Sequence, residues 1–153
     1  MKKFFILISL LVLIFASNIL AQGNGFGLGI ILGEPTGISG KLWLNSKSAV
    51  DGAVAWSFDK NSAMHLHGDY ILHNFKWIEV EEVSLPVYFG IGGRIRFHEG
   101  KGDDNVGVRI PVGLDYIFSG APLDLFLEVV PILDLVPDTD FDINAALGIR
   151  YFF

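Results

Sequence analysis

Residues 142–153 read Asp-Ile-Asn-Ala-Ala-Leu-Gly-Ile-Arg-Tyr-Phe-Phe, and this stretch decides the fold class. Every second residue is apolar, and the residues between them are mostly small or polar. The apolar set is Ile143, Ala145, Leu147, Ile149, Tyr151 and Phe153. Successive side chains of a β-strand point to opposite faces, so alternation with a period of two predicts a strand with one apolar face.

Runs of this kind recur along the whole chain, and each is closed by turn-forming Gly, Pro, Asn, Asp or Ser. We place eight of them near residues 24–33, 37–45, 50–58, 64–74, 85–98, 105–118, 123–134 and 142–153. Beyond the N-terminal segment, no stretch has the roughly 18 uninterrupted apolar residues that a membrane helix needs. The sequence therefore predicts an all-β protein of eight antiparallel strands.

Two places do not fit this scheme simply. Residues 76–84 could lengthen either neighbouring strand. Pro111 and Pro131 lie in adjacent proposed strands, where each would remove a hydrogen bond between strands. We expect a bulge at this place, or a seventh strand that ends near Val130.

One face of the predicted strands is apolar and the other is not. The apolar face of the first strand carries Phe26, Leu28, Ile30 and Leu32, and that of the sixth carries Val108, Ile110, Val112, Leu114, Tyr116 and Phe118. No charged residue interrupts these sets. The opposite face holds glycines, small residues and charges, among them Gly25, Gly27, Gly29, Ser39, Ala53, Ser57, His65, His67, Gly90 and Gly92.

The size of the two sets of side chains decides which face is the inside of a barrel. A soluble barrel would enclose the apolar set, but the interior of eight strands is only just wide enough for side chains. The small and charged set fits inside, and the bulky apolar set then forms an outer band that faces lipid. We predict a closed, up-and-down transmembrane β-barrel. Aromatic girdles are expected at Phe26, Tyr116, Phe118, Tyr151 and Phe153 on one rim, and at Trp56, Phe58 and Phe97 on the other.

Composition and charge exclude several classes of protein. Hydrophobic residues make up 51% and charged residues 18% of the chain, which is unlike a disordered protein. There is no cysteine, so disulfides, thiolate metal sites and thiol nucleophiles are excluded. The formal net charge of −6 argues against nucleic acid as a partner, because phosphate binding needs a basic surface.

The first 21 residues have the pattern of a secretory signal peptide. Lys2 and Lys3 precede an apolar run from Phe4 to Ala16, and small residues follow. We expect cleavage after Ala21, which leaves residues 22–153 as the barrel. The alternative is an uncleaved anchor, but the apolar run is short for a membrane span.

The C-terminal residues carry a resemblance to a known class. Leu147, Ile149, Tyr151 and Phe153 resemble the C-terminal insertion signal of bacterial outer-membrane β-barrels. Eight strands behind a signal peptide resemble the small barrels of the OmpA-transmembrane and OmpX type, and residues 33–43 resemble a small uncharacterised family of such barrels. The resemblance implies location in the outer membrane, with its lipid as surroundings and the outer-membrane assembly machinery as partner during insertion. It implies no chemistry.

The inward charges form the one constellation of candidate site residues. Five are basic and six acidic, and a narrow lumen would make each costly unless it is paired. We therefore expect a connected set of ion pairs that leaves no wide pore. This predicted lumen ionic network consists of Lys41, Asp51, Asp69, Arg94, Arg96, Arg109, Asp115, Asp124, Glu128, Asp134 and Arg150.

Three sharper functional interpretations have weaker support. His65, His67 and Asp69, with His73 further along, could meet a metal, but neighbours on one strand are poorly placed to enclose an ion without ligands from elsewhere, so we favour hydrogen-bonded histidines. The glycines of residues 25–29 lie in a strand rather than before a helix, which disfavours a phosphate loop.

A lipid-A-modifying enzyme is the third of these interpretations. It would need a nucleophile and a base such as Ser57 or Ser62 with His65, in no spacing that matches a motif. We predict a non-enzymatic barrel without catalytic residues, metal or cofactor, in a structural or surface-interaction role. A narrow channel is the main alternative, and the extracellular ligand, if there is one, is unknown.

Overall fold

The structure is a computed structural model that describes residues 25–57 and 63–153. The predicted signal peptide, Phe58 and Ser62 lie outside these ranges. The strands are β1 (Phe26–Gly33), β2 (Thr36–Trp43), β3 (Ser48–Ser57), β4 (Ala63–Asn74), β5 (Val87–His98), β6 (Asn105–Arg109), β7 (Val112–Ile117), β8 (Leu123–Val136) and β9 (Asp140–Phe152). No helix in the described ranges is long and apolar enough to span a membrane.

The strands close into a ring of eight. Neighbouring strands of the ring pair antiparallel, and β1 pairs with β9 from Gly27 opposite Phe152 to Gly33 opposite Ala146. β6 and β7 follow each other along one path between β5 and β8, so they are two halves of a single barrel strand. The predicted fold class, an all-β, eight-stranded antiparallel barrel, is confirmed.

The apolar faces point outward, as predicted. Large apolar side chains from every strand are exposed on the outer surface, including Leu28, Leu66, Ile91 and Leu127, whereas most of the buried side chains are polar or charged. The arrangement is therefore the inverse of that in a soluble globular protein, because the apolar side chains lie outside and the polar ones lie inside. The bulky residues predicted to lie outward alternate along each strand with the buried ones.

The barrel has two ends, which we name by the chain termini. The terminal end carries Phe26 and Phe153, and the distal end carries the β1–β2 and β8–β9 turns. Outward aromatic pairs lie near the terminal end, at Tyr116–Phe118 with ring centroids 4.6 Å apart and Tyr151–Phe153 at 5.1 Å. Trp56, Met64 and Phe97 stand side by side on β3, β4 and β5 near the distal end.

The two prolines do not produce the predicted bulge or the early strand end. Arg109 is opposite Ile132 and Val112 is opposite Val129, so the register is the same on both sides of Pro111. β8 continues past Val130 to Val136. Each proline keeps its carbonyl as an acceptor: Gly90 N donates to Pro111 O at 2.9 Å, and Ile110 N donates to Pro131 O at 3.0 Å.

A different irregularity occurs elsewhere in the same strand. The register between β6 and β8 shifts between Val106 and Gly107, near the distal end. The expectation of a bulge at the two prolines was therefore wrong, because the register shift lies at Val106 and Gly107 instead. Each proline only removes one backbone hydrogen-bond donor. The register shift lies where the strand approaches its turn.

Residues 75–86 extend neither neighbouring strand. They form the connection at the terminal end, with isolated pairings between Val80 and Val83 and between Ser84 and Ile117. The indole of Trp77 stacks on the outward ring of Phe89, with centroids 6.0 Å apart. This connection is longer than any of the distal turns, whose longest covers residues 99–104.

Candidate functional site: the charged lumen

The predicted lumen ionic network lies on the inner faces of eight of the nine strands, all but β1. Ten of its eleven residues are buried, and Arg96 is half-buried near the distal end. Four of the buried residues are cations, namely Lys41 on β2, Arg94 on β5, Arg109 on β6 and Arg150 on β9. Each of the four lies within ion-pair distance of two carboxylates.

Lys41 occupies the part of the lumen near the terminal end. Its Nζ contacts Asp115 Oδ2 directly and lies 3.5 Å from Asp124 Oδ2. The same Nζ is 2.9 Å from His73 Nε2, which in turn is 2.8 Å from Asp115 Oδ2. Nζ also stands 4.4 Å from the centre of the Trp43 ring, where an ammonium gains cation–π attraction.

Arg150 connects this group to the opposite wall. Its Nη1 is 3.5 Å from Asp124 Oδ2, and its Nη2 is 3.5 Å from Asp51 Oδ2. Nε donates to Ser39 Oγ at 3.1 Å, while the guanidinium lies 3.8 Å from the centre of the Phe126 ring. Asp124 is thus shared by two cations, which joins their pairs into one group.

Arg109 and Arg94 form two further groups. Arg109 Nε donates to both oxygens of Asp69, at 3.0 and 3.1 Å, and Nη2 lies 3.6 Å from Glu128 Oε1. Arg94 Nε and Nη2 donate to Asp134 Oδ1 and Oδ2 at 3.0 and 2.6 Å. This two-pronged geometry is the strongest arrangement of guanidinium and carboxylate.

The strand β8 supplies a carboxylate to every buried cation. Asp124 serves Lys41 and Arg150, Glu128 serves Arg109, and Asp134 serves Arg94. Arg109 on β6 and Arg150 on β9 pair with β8 from the strands next to it, whereas Lys41 on β2 and Arg94 on β5 reach it from strands that share no ladder with it. Buried charges need such partners, because an uncompensated one costs several kcal/mol.

Two apolar side chains also point inward from β8. Val130 and Ile132 are both buried. Ile132 is opposite Arg109 on β6 and Asp142 on β9, so charged side chains lie on both sides of it. The inner face of β8 therefore carries two apolar residues among charged neighbours.

Sequence reasoning missed some members of these groups. Asp142 lies 3.2 Å from Arg94 Nη1, and its side chain is 41% exposed. Tyr88 donates from its hydroxyl to Glu128 Oε2 at 2.9 Å. His73 was noted but not placed with Lys41 and Asp115. Alternation with a period of two places the side chains of Asp142, Tyr88 and His73 inward. It contains no information about which strands face each other across the lumen.

Aromatic rings inside the lumen lie against glycines of the next strand. Tyr88 is opposite Gly113, and Phe126 is opposite Gly148. A Cβ added at Gly113 would be 2.4 Å from Tyr88 Cζ, and one added at Gly148 would be 2.2 Å from Phe126 Cζ. These glycines make the room that the rings occupy, which agrees with the close-approach role of glycine in strands.

The histidines that suggested a metal are buried on β4. His65 is opposite Arg96 and His67 is opposite Arg94, so arginines stand beside both rings. Within residues 25–57 and 63–153, no group of three or more His, Asp and Glu side chains is arranged to hold a metal ion. Ser62 and the side chain of Ser57 lie outside the described part of the structure.

Each end of the lumen opens into a cavity of different character. The terminal cavity, about 540 Å³, is lined mainly by apolar residues such as Trp43, Phe75 and Phe152, with Asp124 among them. The distal cavity, about 440 Å³, is lined mainly by polar residues. Polar contacts with a solute are therefore concentrated at the distal end.

The residues of the predicted C-terminal insertion signal all point outward on β9 or just after it. Leu147, Ile149, Tyr151 and Phe153 are exposed on the outer face. Phe153 N donates to Phe26 O at 3.0 Å, which fixes the C-terminus beside the first strand. The segment is thus part of the seam that closes the ring.

Comparisons with known proteins bear on the fold. No family model matches the sequence, and no curated protein matches it. The N-terminal β-barrel domain of OprF from Pseudomonas aeruginosa matches with a TM-score of 0.64 at 15% identity, over 85% of this chain and 96% of that one. Neisserial surface protein A matches with a TM-score of 0.55 at 12% identity, over 85% and 94%. Both are eight-stranded outer-membrane barrels, and the chain described here has the fold of that class.

Proposed function

We propose that the chain is a non-enzymatic protein of the bacterial outer membrane, with a lumen closed by ion pairs and a structural or surface-interaction role. The observation that carries this proposal is the set of four buried cations, each held between two carboxylates from other strands. We name this set, with its carboxylates, the ion-pair plug.

Location in the membrane is supported by the outer surface. Apolar side chains cover it on all strands, and a patch of this size in water would drive aggregation. The N-terminal signal pattern supports export. Cell fractionation should find the chain, shortened by about the length of the signal, in outer membranes that resist carbonate and high salt. Recovery of a soluble periplasmic monomer would contradict the proposal.

The connections that reach the outside of the cell are short, and this limits what the barrel can recognise. With both termini in the periplasm, residues 75–86 face inward to the cell, and only the shorter distal connections reach outside. Outer-membrane barrels usually show the reverse, with short periplasmic turns and long outer loops. Little chain is then available to recognise a large protein partner, so any surface interaction would use the rim and the distal cavity.

Conductance tests the closure of the lumen. The intact barrel in a planar bilayer should show no large steady current, because the paired and buried charges fill the lumen and leave no continuous water path. Replacing both Arg94 and Arg96 by alanine should leave carboxylates unpaired and admit small currents that favour cations. A stable, porin-sized current from the unmodified protein would contradict the plug and support the narrow channel instead.

The absence of catalysis is tested on the purified barrel. The charged groups of the ion-pair plug are buried and hold each other, which leaves them poorly placed to attack a lipid. A lipid-A hydrolysis assay should give no product above background. Product that is lost on Ser57→Ala and on His65→Ala would instead support the lipid-A-modifying enzyme.

A further inference from the structure

The distal cavity has a lining that the ion-pair plug does not use. His65, Arg96 and Asn144 line it and each carries a buried nitrogen without a hydrogen-bond partner in the described part of the chain: His65 Nε2, Arg96 Nε and Asn144 Nδ2. His65 and Asn144 are only 3% and 7% exposed. Buried polar atoms are normally satisfied, so three unsatisfied nitrogens around one cavity indicate an acceptor group that binds there.

The same cavity also contains unpaired charge of both signs. Arg94 is matched by Asp134 and Asp142. Arg96 and Asp140 also line the cavity, and neither takes part in an ion pair within residues 25–57 and 63–153. A lone cation and a lone anion that face one cavity suit a ligand that carries both charges.

These charges belong to different walls of the barrel. Arg96 is on β5 beside His65 on β4, while Asp140 and Asn144 are on β9. In the ring of eight, β4 and β9 are separated by the same number of strands in both directions, so they face each other. The cavity is thus basic on one side and acidic on the other, and its volume of about 440 Å³ is that of a small-molecule site.

We propose that the distal cavity binds a small zwitterion that bears one carboxylate and one ammonium group. The carboxylate accepts hydrogen bonds from the Arg96 and His65 side, with Asn144 as a further donor, and the ammonium faces Asp140. A simple anion is disfavoured because Asp134, Asp140 and Asp142 also line the cavity, and a simple cation leaves the free nitrogens unsatisfied. This inference does not depend on whether the lumen conducts.

The test uses the full mature barrel, labelled with ¹⁵N and folded in detergent, with NMR shifts as the readout. Glycine and 4-aminobutyrate, which differ in the separation of their two charges, are titrated beside acetate and methylammonium at equal ionic strength. We expect at least one zwitterion to shift the Asn144 side-chain amide in a saturable way. Its Kd should be at least tenfold lower than that of acetate or methylammonium.

Matched variants separate the site from general charge effects. Arg96→Gln and Asp140→Asn should each raise the Kd at least tenfold, whereas Arg96→Lys should raise it less. Lys101→Gln and Asp103→Asn make the same charge changes in the exposed connection 99–104 and should leave the Kd within twofold. Gel mobility before and after heating shows whether each variant is folded. If Arg96→Gln does not fold, Asp140→Asn on the exposed rim still tests the site.

Three results would overturn the inference. The first is the lack of a saturable shift with either zwitterion. The second is acetate or methylammonium binding as tightly as the zwitterions. The third is an equal loss of binding in the 99–104 variants. A conducting barrel with intact zwitterion binding would contradict the plug alone, and a closed barrel without binding would contradict this site alone.

Discussion

The guanidinium of Arg94 on β5 donates to both carboxylate oxygens of Asp134 on β8, at 3.0 Å from Nε and 2.6 Å from Nη2. β5 and β8 are not neighbours at this level, since β6 lies between them. The pair therefore bridges the inner face of β6 and joins two strands that share no backbone hydrogen bonds. Both side chains are almost completely buried.

Loss of Arg94 should destabilise the barrel strongly. Arg94→Ala leaves Asp134 as a buried charge without its partner, which costs about 3–5 kcal/mol. Urea unfolding of the barrel in lipid vesicles measures the change. Replacing the pair together, as Arg94→Met with Asp134→Leu, should cost clearly less than Arg94→Ala, because no buried charge is left alone. Equal losses in the single and double variants would contradict the pairing.

A charge placed on the outer face of the barrel should lower its stability by an amount that depends on the depth of the residue in the membrane. Ile91 is 60% exposed on the outer surface near the middle of β5, and Ile91→Arg should destabilise the barrel by about 2–4 kcal/mol. Leu114→Arg, nearer the terminal end, should cost less.

A neighbouring small change is the control for this depth series. Gly68→Ala on β4 adds a methyl group whose closest contact is 3.8 Å away, and it should be nearly neutral. The same vesicle unfolding assay compares all three variants. Tolerance of Arg at residue 91 would show that this face does not meet lipid.

The ring of Phe126 should forbid a side chain at residue 148. Gly148→Ala places a Cβ 2.2 Å from Phe126 Cζ and 2.6 Å from Ile30 O, so the ring and the backbone must both shift. Overpacking of this kind costs about 1–3 kcal/mol. Gly93→Ala, where the closest contact is 3.6 Å, is the matched change in a strand. An equal loss of stability in Gly148→Ala and Gly93→Ala would contradict this prediction.

Removal of a proline should complete the sheet. Ile110 N already donates to Pro131 O, but Pro131 has no N–H to return the bond. Pro131→Ala supplies that donor at an outward position, and we expect a gain of about 0.5–1.5 kcal/mol. Hydrogen exchange should show a protected new amide at residue 131. Rapid exchange there would mean that the two strands separate at this point.

Alternation along single strands was enough to predict the class of fold and the side on which each residue lies. Arg150 and Tyr151 are assigned to opposite faces by the period of two alone, and the structure agrees. The strand ends differ by at most two residues from those predicted, and residues 76–84 could not be assigned to either neighbouring strand from the alternation. The local chemistry of a strand is therefore readable without its neighbours.

The contacts within the lumen could not be predicted in the same way. Lys41 meets Asp115 and His73, which are 74 and 32 residues away in sequence. Which inward residues meet depends on the register of every strand between them and on the height of each in the barrel. The period of two has no information on either quantity, so the sequence predicts balanced charge but not which partner each charge has.

Placement of the acidic partners on the last hairpin bears on how the ring is completed. Arg94 is held by two carboxylates, Asp134 on β8 and Asp142 on β9. Asp124, which pairs with Lys41 and Arg150, is also on β8. A chain truncated after Ile117 would present Arg94 to the lumen with neither of its acidic partners. An unfinished ring is thus marked by exposed positive charge, and the arrival of the final hairpin neutralises that charge as it joins β1.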